Sequence, residues 1–169
     1  TYSIPYIEKA LTDYPRIARL LADLFCERFD PALDRKKADA RTEIILADIE
    51  DALTYVTALD QDRILRALTS VIEATLRTNF FQKNADGSFK PCLSFKLDSN
   101  RIDALPHPRP YREIWVYSPR MEGVHLRGDR IARGGIRWSD RNEDFRTEVL
   151  GLMKAQQVKN AVIVPMGAK

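Results

Sequence analysis

The sequence predicts an α+β or α/β protein, in which a helical N-terminal segment is followed by a mixed sheet with helices. Two observations predict this fold class. Apolar residues recur at three- and four-residue steps through the first half of the chain, which is typical of amphipathic helices. After the turn signal Asn84-Ala85-Asp86-Gly87, apolar residues alternate with polar ones, as they do in half-buried strands. We therefore expect a helical segment over residues 1–85 and a second segment over residues 86–169.

The first segment carries three apolar stripes. Ser3 can cap a first turn in which Pro5 is tolerated. The helices with the stripes begin at Pro15, after the charged run 34–37, and at Asp60, and we expect helix up to about residue 82. Their inward positions are Ile17, Leu20, Leu21, Leu24, Phe25 and Phe29; Ile45, Ile49, Leu53 and Val56; and Ile64, Leu65, Leu68, Val71, Ile72 and Leu76. The stripes predict an ordinary helical core and give no catalytic signal.

The second segment alternates strands and turns before it returns to helix. Strands are predicted over residues 93–97 and 111–117 and from residue 124, with a stiff connector over residues 106–110 and a turn over residues 119–123. Ser139 or Asp140 can cap a helix that ends near residues 159–160. Its predicted inner face holds Phe145, Val149, Leu152, Met153 and Gln156, and Gly151 indicates close packing. An apolar strand over residues 161–164 and a glycine turn over residues 165–169 follow.

The composition excludes several classes of function. Hydrophobic residues make up 44% of the chain and charged residues 30%, so a sizeable core is expected. The net charge of +3 is small and its cations are interleaved with carboxylates, which argues against a nucleic-acid partner. The sequence holds no membrane-spanning apolar run and no signal-peptide pattern. Since it opens on Thr1 and stops on Lys169 inside a predicted active-site loop, we expect a cytoplasmic fragment of a larger protein.

Cysteines and histidines give no metal-site signal. Cys26 and Cys92 lie far apart, and we expect both to be reduced thiols buried in the core. There is no C-x-x-C motif, and His107 and His125 lack the spacing of metal ligands. We interpret His125, within a predicted strand, as structural or surface-exposed.

Three cations stand where a pocket could form. Arg133 precedes Gly134 and Gly135, where the backbone can approach a bound group closely; Lys159 ends the last helix, and Lys169 ends the chain. If they converge, they suit a substrate with two carboxylates, and a lysine confined beside other cations can serve as a general base. A simpler interpretation stays open, because lysines at helix ends complement the helix dipole and Gly-Gly often marks a turn. We expect Lys154, on another face, to be solvated.

The same residues carry a family resemblance. The stretches Gly134-Gly135-Ile136-Arg137-Trp138, Gln156-Gln157-Val158-Lys159-Asn160 and Pro165-Met166-Gly167-Ala168-Lys169 resemble the substrate domain of glutamate dehydrogenases. The wording from Arg133 to Gln156 is similar to that of the large bacterial NAD-dependent members of this family. The resemblance is specific over about residues 130–169. It implies that residues 86–169 are the first part of a catalytic, substrate-binding domain that is truncated at its C-terminal end.

The resemblance also implies residue roles. Lys169 matches the catalytic lysine that assists attack of water on the iminium formed from the amino acid, and Lys159 matches the lysine that holds the α-carboxylate. Arg133, followed by Gly134, matches the position that binds the side-chain carboxylate, and Gln156 matches a position that lines the pocket. Two departures are visible: position 133 is Arg where the family has Lys, and the loop before Lys169 has one glycine where many relatives have two.

The implied activity is NAD-dependent oxidative deamination of L-glutamate to 2-oxoglutarate and ammonia, a step of glutamate catabolism. No G-x-G-x-x-G follows a strand, so we expect NAD to be bound by a domain absent from this chain, and the fragment alone to be inactive. A homo-oligomer is expected for the full-length enzyme, and no metal. Two alternatives stay open. Residues 1–82 can form a non-catalytic oligomerisation or docking module, or the enzyme can be a related amino-acid dehydrogenase, although Arg133 argues against apolar substrates.

Overall fold

The computed structural model describes residues 2–130, 139 and 144–160, with side chains described as far as residue 156. The chain divides into two compact units, Thr1–Glu73 and Ala74–Lys169, called here the helical unit and the sheet unit. Each has its own secondary structure and its own buried residues.

The helical unit is built from α1 (Ile4–Asp13), α2 (Pro15–Phe29), α3 (Arg35–Leu53) and α4 (Leu59–Ala74). Pro15 opens α2, where its missing N–H is not needed. The Asp34 carboxylate caps α3 by accepting a hydrogen bond from the Lys37 N–H at 2.9 Å. Ser3 holds the predicted cap position of α1, but its side chain makes no cap hydrogen bond. The run 34–37 was predicted to precede α3, and the structure instead makes most of it the first turn of the helix.

The predicted apolar stripes form the core of this unit. Leu24 and Leu65 are fully buried, and the remaining members of the core cluster are Ile17, Leu21, Ile49, Ala52 and Leu53. Leu20, Ile45, Val56, Leu68 and Ile72 pack against it while partly buried. The prediction of a helical core is therefore confirmed, because the three- and four-residue spacing places these side chains on the inner face of each helix.

The helical prediction is wrong over residues 75–82. The strand β1 (Thr75–Thr78) begins directly after α4, and Leu76, predicted to point inward, is 39% exposed. Thr75 and Thr78 are β-branched and suit a strand, and β1 finds hydrogen-bond partners in the following strand that the periodicity could not reveal. Val71, also predicted inward, is 38% exposed. The division into a helical segment over residues 1–85 and a catalytic segment over residues 86–169 stays a prediction.

The sheet has the order β1-β2-β3-β4 and is antiparallel throughout its described strands, β2 (Leu93–Leu97), β3 (Arg112–Ser118) and β4 (Met121–Arg127). A short 3₁₀ helix (Ser99–Arg101) follows β2. The α+β class is confirmed. The predicted strand over residues 161–164 lies outside the described residues. The turn predicted over residues 119–123 is shorter than expected, because β4 already begins at Met121.

Both cysteines are free, as predicted, but both are exposed, so the prediction of buried thiols is wrong. Cys26 lies two residues after Leu24, which turns it about 200° away from the core side of α2. Cys92 lies just before β2. His125 is exposed, which confirms its interpretation as a surface residue. Among the residues described, no helix combines the length and the apolar character needed to cross a membrane.

Candidate substrate site on helix α5

The helix α5 (Phe145–Asn160) carries the candidate site. Its first turn is marked by the Glu148 N–H, which donates to the Asp144 carbonyl at 3.2 Å. The Ser139 hydroxyl donates to Glu148 Oε2 at 3.0 Å and so ties the preceding chain to the helix. Of the two predicted caps, Ser139 lies six residues before Phe145 and is not the N-cap of α5, and Asp140 lies outside the described residues. The acidic side chain in the first turn complements the positive end of the helix dipole.

A buried ion pair joins α5 to the sheet. Arg146 Nε donates to Glu113 Oε1 and Arg146 Nη2 to Glu113 Oε2, both at 2.7 Å. Glu113, on β3, is 5% exposed, and the fully buried Ser99 donates its hydroxyl to Glu113 Oε2 at 3.4 Å. Two parallel charge-assisted bonds fix the distance and the plane of the two groups, and they compensate the carboxylate for its lost hydration.

The sequence analysis did not identify this pair. A signal for Glu113 was available, because it alternates in phase with Trp115, whose ring stacks on Phe95 of the neighbouring strand with centroids 6.0 Å apart. A charge at such an inward position needs a partner. The partner, Arg146, is 33 residues further along the chain, and no local spacing rule connects the two.

One stripe of α5 faces its contacts in the sheet unit. Arg146, Leu150 and Lys154 follow one another at four-residue steps, so they lie on the same side of the helix. Leu150 is 5% exposed, and the Lys154 ammonium donates to the His107 carbonyl at 3.4 Å. The helix packs against β4. The stripe therefore anchors α5 at a charged pair, an apolar contact and a second polar contact.

The predicted inner face of α5 is partly wrong. Phe145, Val149 and Met153 are half-buried as expected, but Leu152 is 37% exposed and Gln156 is exposed. The prediction that Lys154 is solvated is also wrong, since it is half-buried. Close packing at Gly151 is not observed among the described residues either, because a Cβ there would meet none of their atoms within 4 Å. The residues that decide the face are the ion-paired Arg146 and the buried Leu150, which a purely apolar pattern did not single out.

The five predicted site residues are placed unequally. Gln156 lies on α5 with an exposed side chain, about 200° around the helix from Lys154 and so away from the anchored stripe. Lys159 lies in the last turn of α5, and its side chain is outside the description. Arg133, Gly134 and Lys169 lie outside the described residues. The convergence of the three cations therefore stays a prediction.

A cavity elsewhere in the sheet unit has a different character. An open cavity of about 180 Å³ is lined by Asn79, Phe80, Phe89, Lys90, Cys92 and Leu93. Its one cation, Lys90, already donates to Asn84 Oδ1 at 2.9 Å. The described lining residues themselves offer a dicarboxylate no pair of cations. Within the described part of the chain, no three His, Cys, Asp or Glu side chains are grouped so that they could hold a metal ion.

Comparison with known proteins identifies the family. The model of the bacterial NAD-glutamate dehydrogenase catalytic domain matches residues 48–169, and the model of the glutamate dehydrogenase helical motif 3 matches residues 1–31. The chain belongs to the bacterial NAD-glutamate dehydrogenase family. The catalytic-domain match of this family begins within α3 and includes the sheet, the Glu113–Arg146 pair and α5, so the structural core of the candidate site is part of the family's catalytic domain.

Relatives extend the likeness to nearly the whole chain. The NAD-specific glutamate dehydrogenases of Halomonas elongata and Pseudomonas aeruginosa are each 54% identical, over 97% and 99% of this chain. That of Mycobacterium tuberculosis is 53% identical over 99% of it. The chain spans about a tenth of the length of each of these relatives. The resemblance to large bacterial NAD-dependent glutamate dehydrogenases is thus confirmed.

Proposed function

We propose that the chain is part of an enzyme that oxidatively deaminates L-glutamate with NAD. In this reaction glutamate, water and NAD⁺ give 2-oxoglutarate, ammonium, NADH and a proton. The match of the catalytic-domain model over residues 48–169 carries the proposal. The name NAD-specific glutamate dehydrogenase borne by relatives at 53–54% identity supports both the substrate and the cofactor.

The proposed roles follow the family resemblance. Arg133, with Gly134 beside it, binds the side-chain carboxylate, and Lys159 binds the α-carboxylate. Gln156 lines the pocket, and Lys169 assists the attack of water on the iminium. The exposed position of Gln156 supports this assignment, since it lies away from the anchored stripe of α5. Lys159 follows it by three residues, on the next turn of the same helix.

NAD, on this proposal, is bound by a part of the enzyme outside this chain, and the enzyme is a cytoplasmic homo-oligomer. The absence of G-x-G-x-x-G from the sequence supports the first point. NAD then supplies the hydride acceptor, while the residues of this chain bind and orient the amino acid. An assay of the 169-residue chain with glutamate and NAD is expected to show no NADH formation, and turnover by this chain would refute the division of labour.

The residue roles are tested in the full-length enzyme. Lys169→Ala is expected to lower kcat by about 10²–10⁴-fold, because general acid–base assistance is lost. Arg133→Ala and Lys159→Ala are expected mainly to raise the KM for glutamate, since each removes a contact to a carboxylate. Lys36→Ala, which removes an exposed lysine of α3, is the matched control and should change neither constant. Near-normal kcat in Lys169→Ala would show the catalytic assignment to be wrong.

A further inference from the structure

We infer that Glu113 and Arg146 are positioning residues for the reaction, whose ion pair sets the rotation and axial position of α5 and thereby the placement of Gln156 and Lys159. The inference rests on the proposed function, because it takes Gln156 and Lys159 to line the substrate site. Glu113 on β3 and Arg146 on α5 do not themselves touch the substrate.

The geometry of the Glu113–Arg146 ion pair restricts the orientation of both side chains. Both nitrogen–oxygen distances are 2.7 Å, and the guanidinium meets the carboxylate through two parallel bonds, so rotation of either group breaks at least one of them. Ser99, on the 3₁₀ helix, donates to Glu113 Oε2 and restricts the carboxylate from a third element. The side chains of Glu113 and Arg146 are 6% and 28% exposed, so little water competes for these bonds.

The ion pairs of Arg66 in the helical unit lack these properties. Arg66 also meets carboxylates through two nitrogens, Nε to Asp62 at 3.0 Å and Nη1 to Glu50 at 2.9 Å. Its side chain, however, is 46% exposed and that of Glu50 is 64% exposed. Hydrated pairs of this kind hold their partners weakly. Arg66 therefore offers a matched control with similar chemistry and little positional constraint.

Because Arg146 lies on the same helix as Gln156, a change in the orientation of α5 also moves the side chain of Gln156. Arg146 lies in the first turn, and Gln156 lies ten residues later, about 15 Å along the axis. A rotation of the helix by about 20° moves a side chain that lies roughly 5 Å from the axis by about 2 Å. A misplacement of about 1 Å at a substrate contact can lower the rate about 10²-fold. The other polar anchor, from Lys154 to the His107 carbonyl, is long at 3.4 Å and resists such a rotation less.

The decisive experiment measures kcat and the KM for glutamate in the full-length enzyme. Arg146→Lys keeps the positive charge but loses the planar guanidinium that donates two parallel hydrogen bonds. Glu113→Gln keeps the shape of the side chain but loses its negative charge. Each is expected to raise the KM for glutamate about tenfold, because Gln156 and Lys159 are displaced. Arg66→Lys should leave the KM unchanged. If the pair served only stability, the variants would lower the folded fraction and hence the apparent kcat while the KM stayed normal, and that result would overturn the inference.

A double variant checks that the two residues act as one unit. In Glu113→Gln/Arg146→Met, which is compared with Glu113→Gln and Arg146→Met measured singly, neither side chain carries a charge, so no buried charge is left without a partner. The KM is expected to be no higher than that of the worse single variant, because each substitution removes the same constraint. A KM equal to the product of two independent effects would overturn the inference. Should one single variant fold poorly, as judged by its thermal unfolding, the other single variant carries the test.

The same series separates this inference from the proposed function. A full-length enzyme that does not oxidise glutamate overturns both. If Lys159→Ala raises the KM for glutamate while Arg146→Lys behaves like Arg66→Lys, the proposed function stands and the positioning role is refuted. If Lys159→Ala and Arg146→Lys both raise the KM, both proposals are supported.

Discussion

The Glu113–Arg146 ion pair of the sheet unit differs from most ion pairs of the helical unit. In the helical unit, the pairs Lys9–Asp13 and Arg19–Asp23 are largely exposed, Glu27 in the Arg41–Glu27 pair is 18% exposed, and an apolar cluster around Leu24 and Leu65 forms the core. In the sheet unit, the Glu113 carboxylate is buried and is held by Arg146. Exposed pairs contribute little to folding, whereas a buried pair carries a desolvation cost that an apolar pair would avoid. The sheet unit thus buries a carboxylate that orients a helix, whereas the core of the helical unit is formed by apolar side chains.

The largest expected effect tests the helical side of this comparison. Leu24→Ala should lower the free energy of unfolding by about 4 kcal/mol, because a fully buried leucine leaves a cavity among close-packed neighbours. Urea unfolding of the 169-residue chain, followed by circular dichroism at 222 nm, measures the loss. Ile44→Ala, at a position that is 61% exposed, is the control and should change the value by less than about 0.5 kcal/mol. Equal losses in the two variants would contradict the assignment of the core.

The second expected effect tests the sheet side. Glu113→Ala should cost about 3 kcal/mol, because it leaves the Arg146 guanidinium partly buried without its carboxylate; the value is at the low end because that side chain is 28% exposed and can hydrate. Arg66→Ala, which breaks exposed pairs, should cost about 0–1 kcal/mol. Both tryptophans, Trp115 and Trp138, lie in residues 74–169, so tryptophan fluorescence during urea unfolding follows the sheet unit specifically.

The comparison fails if these two readouts do not separate. Leu24→Ala should act mainly on the dichroism signal, and Glu113→Ala mainly on the fluorescence signal. If Glu113→Ala were no more destabilising than Arg66→Ala, the partly buried Arg146 guanidinium would not depend on its carboxylate partner. The Glu113–Arg146 pair and the Arg66 pairs would then differ only in how exposed they are, and not in what they contribute to the free energy of unfolding.

The features that could be predicted best from the sequence are those that depend on local spacing. The stripe that includes Ile17, Leu21 and Leu24 predicted a buried helix face, because periodicity reports directly which side is apolar. The same periodicity gave a wrong prediction at Leu76. This residue follows Ile72 at a four-residue step, but it lies in the strand β1. A short apolar run fits both periods, and only the pairing of Thr75 and Thr78 with β2 decides between them.

The candidate site divides along the same line. Gln156 and Lys159 were placed on the last helix by its pattern, and the structure confirms that helix. The ion pair that orients this helix was not predicted, because Glu113 and Arg146 meet only after α5 packs against the sheet. Arg133 and Lys169 came from the family resemblance, and their meeting with Lys159 stays a prediction.

The smallest expected effect contrasts two helix starts within the helical unit. Asp34→Ala should cost about 1 kcal/mol, because the carboxylate satisfies the Lys37 N–H, which has no partner within α3. Ser3→Ala should cost at most a few tenths of that, since the Ser3 side chain makes no cap bond, and its carbonyl accepts from the Tyr6 and Ile7 N–H groups in either variant. Urea unfolding at 222 nm resolves the difference. If the two losses are equal, then cap position rather than the cap hydrogen bond governs these helices, and the polar contacts of the helical unit would matter less than their geometry suggests.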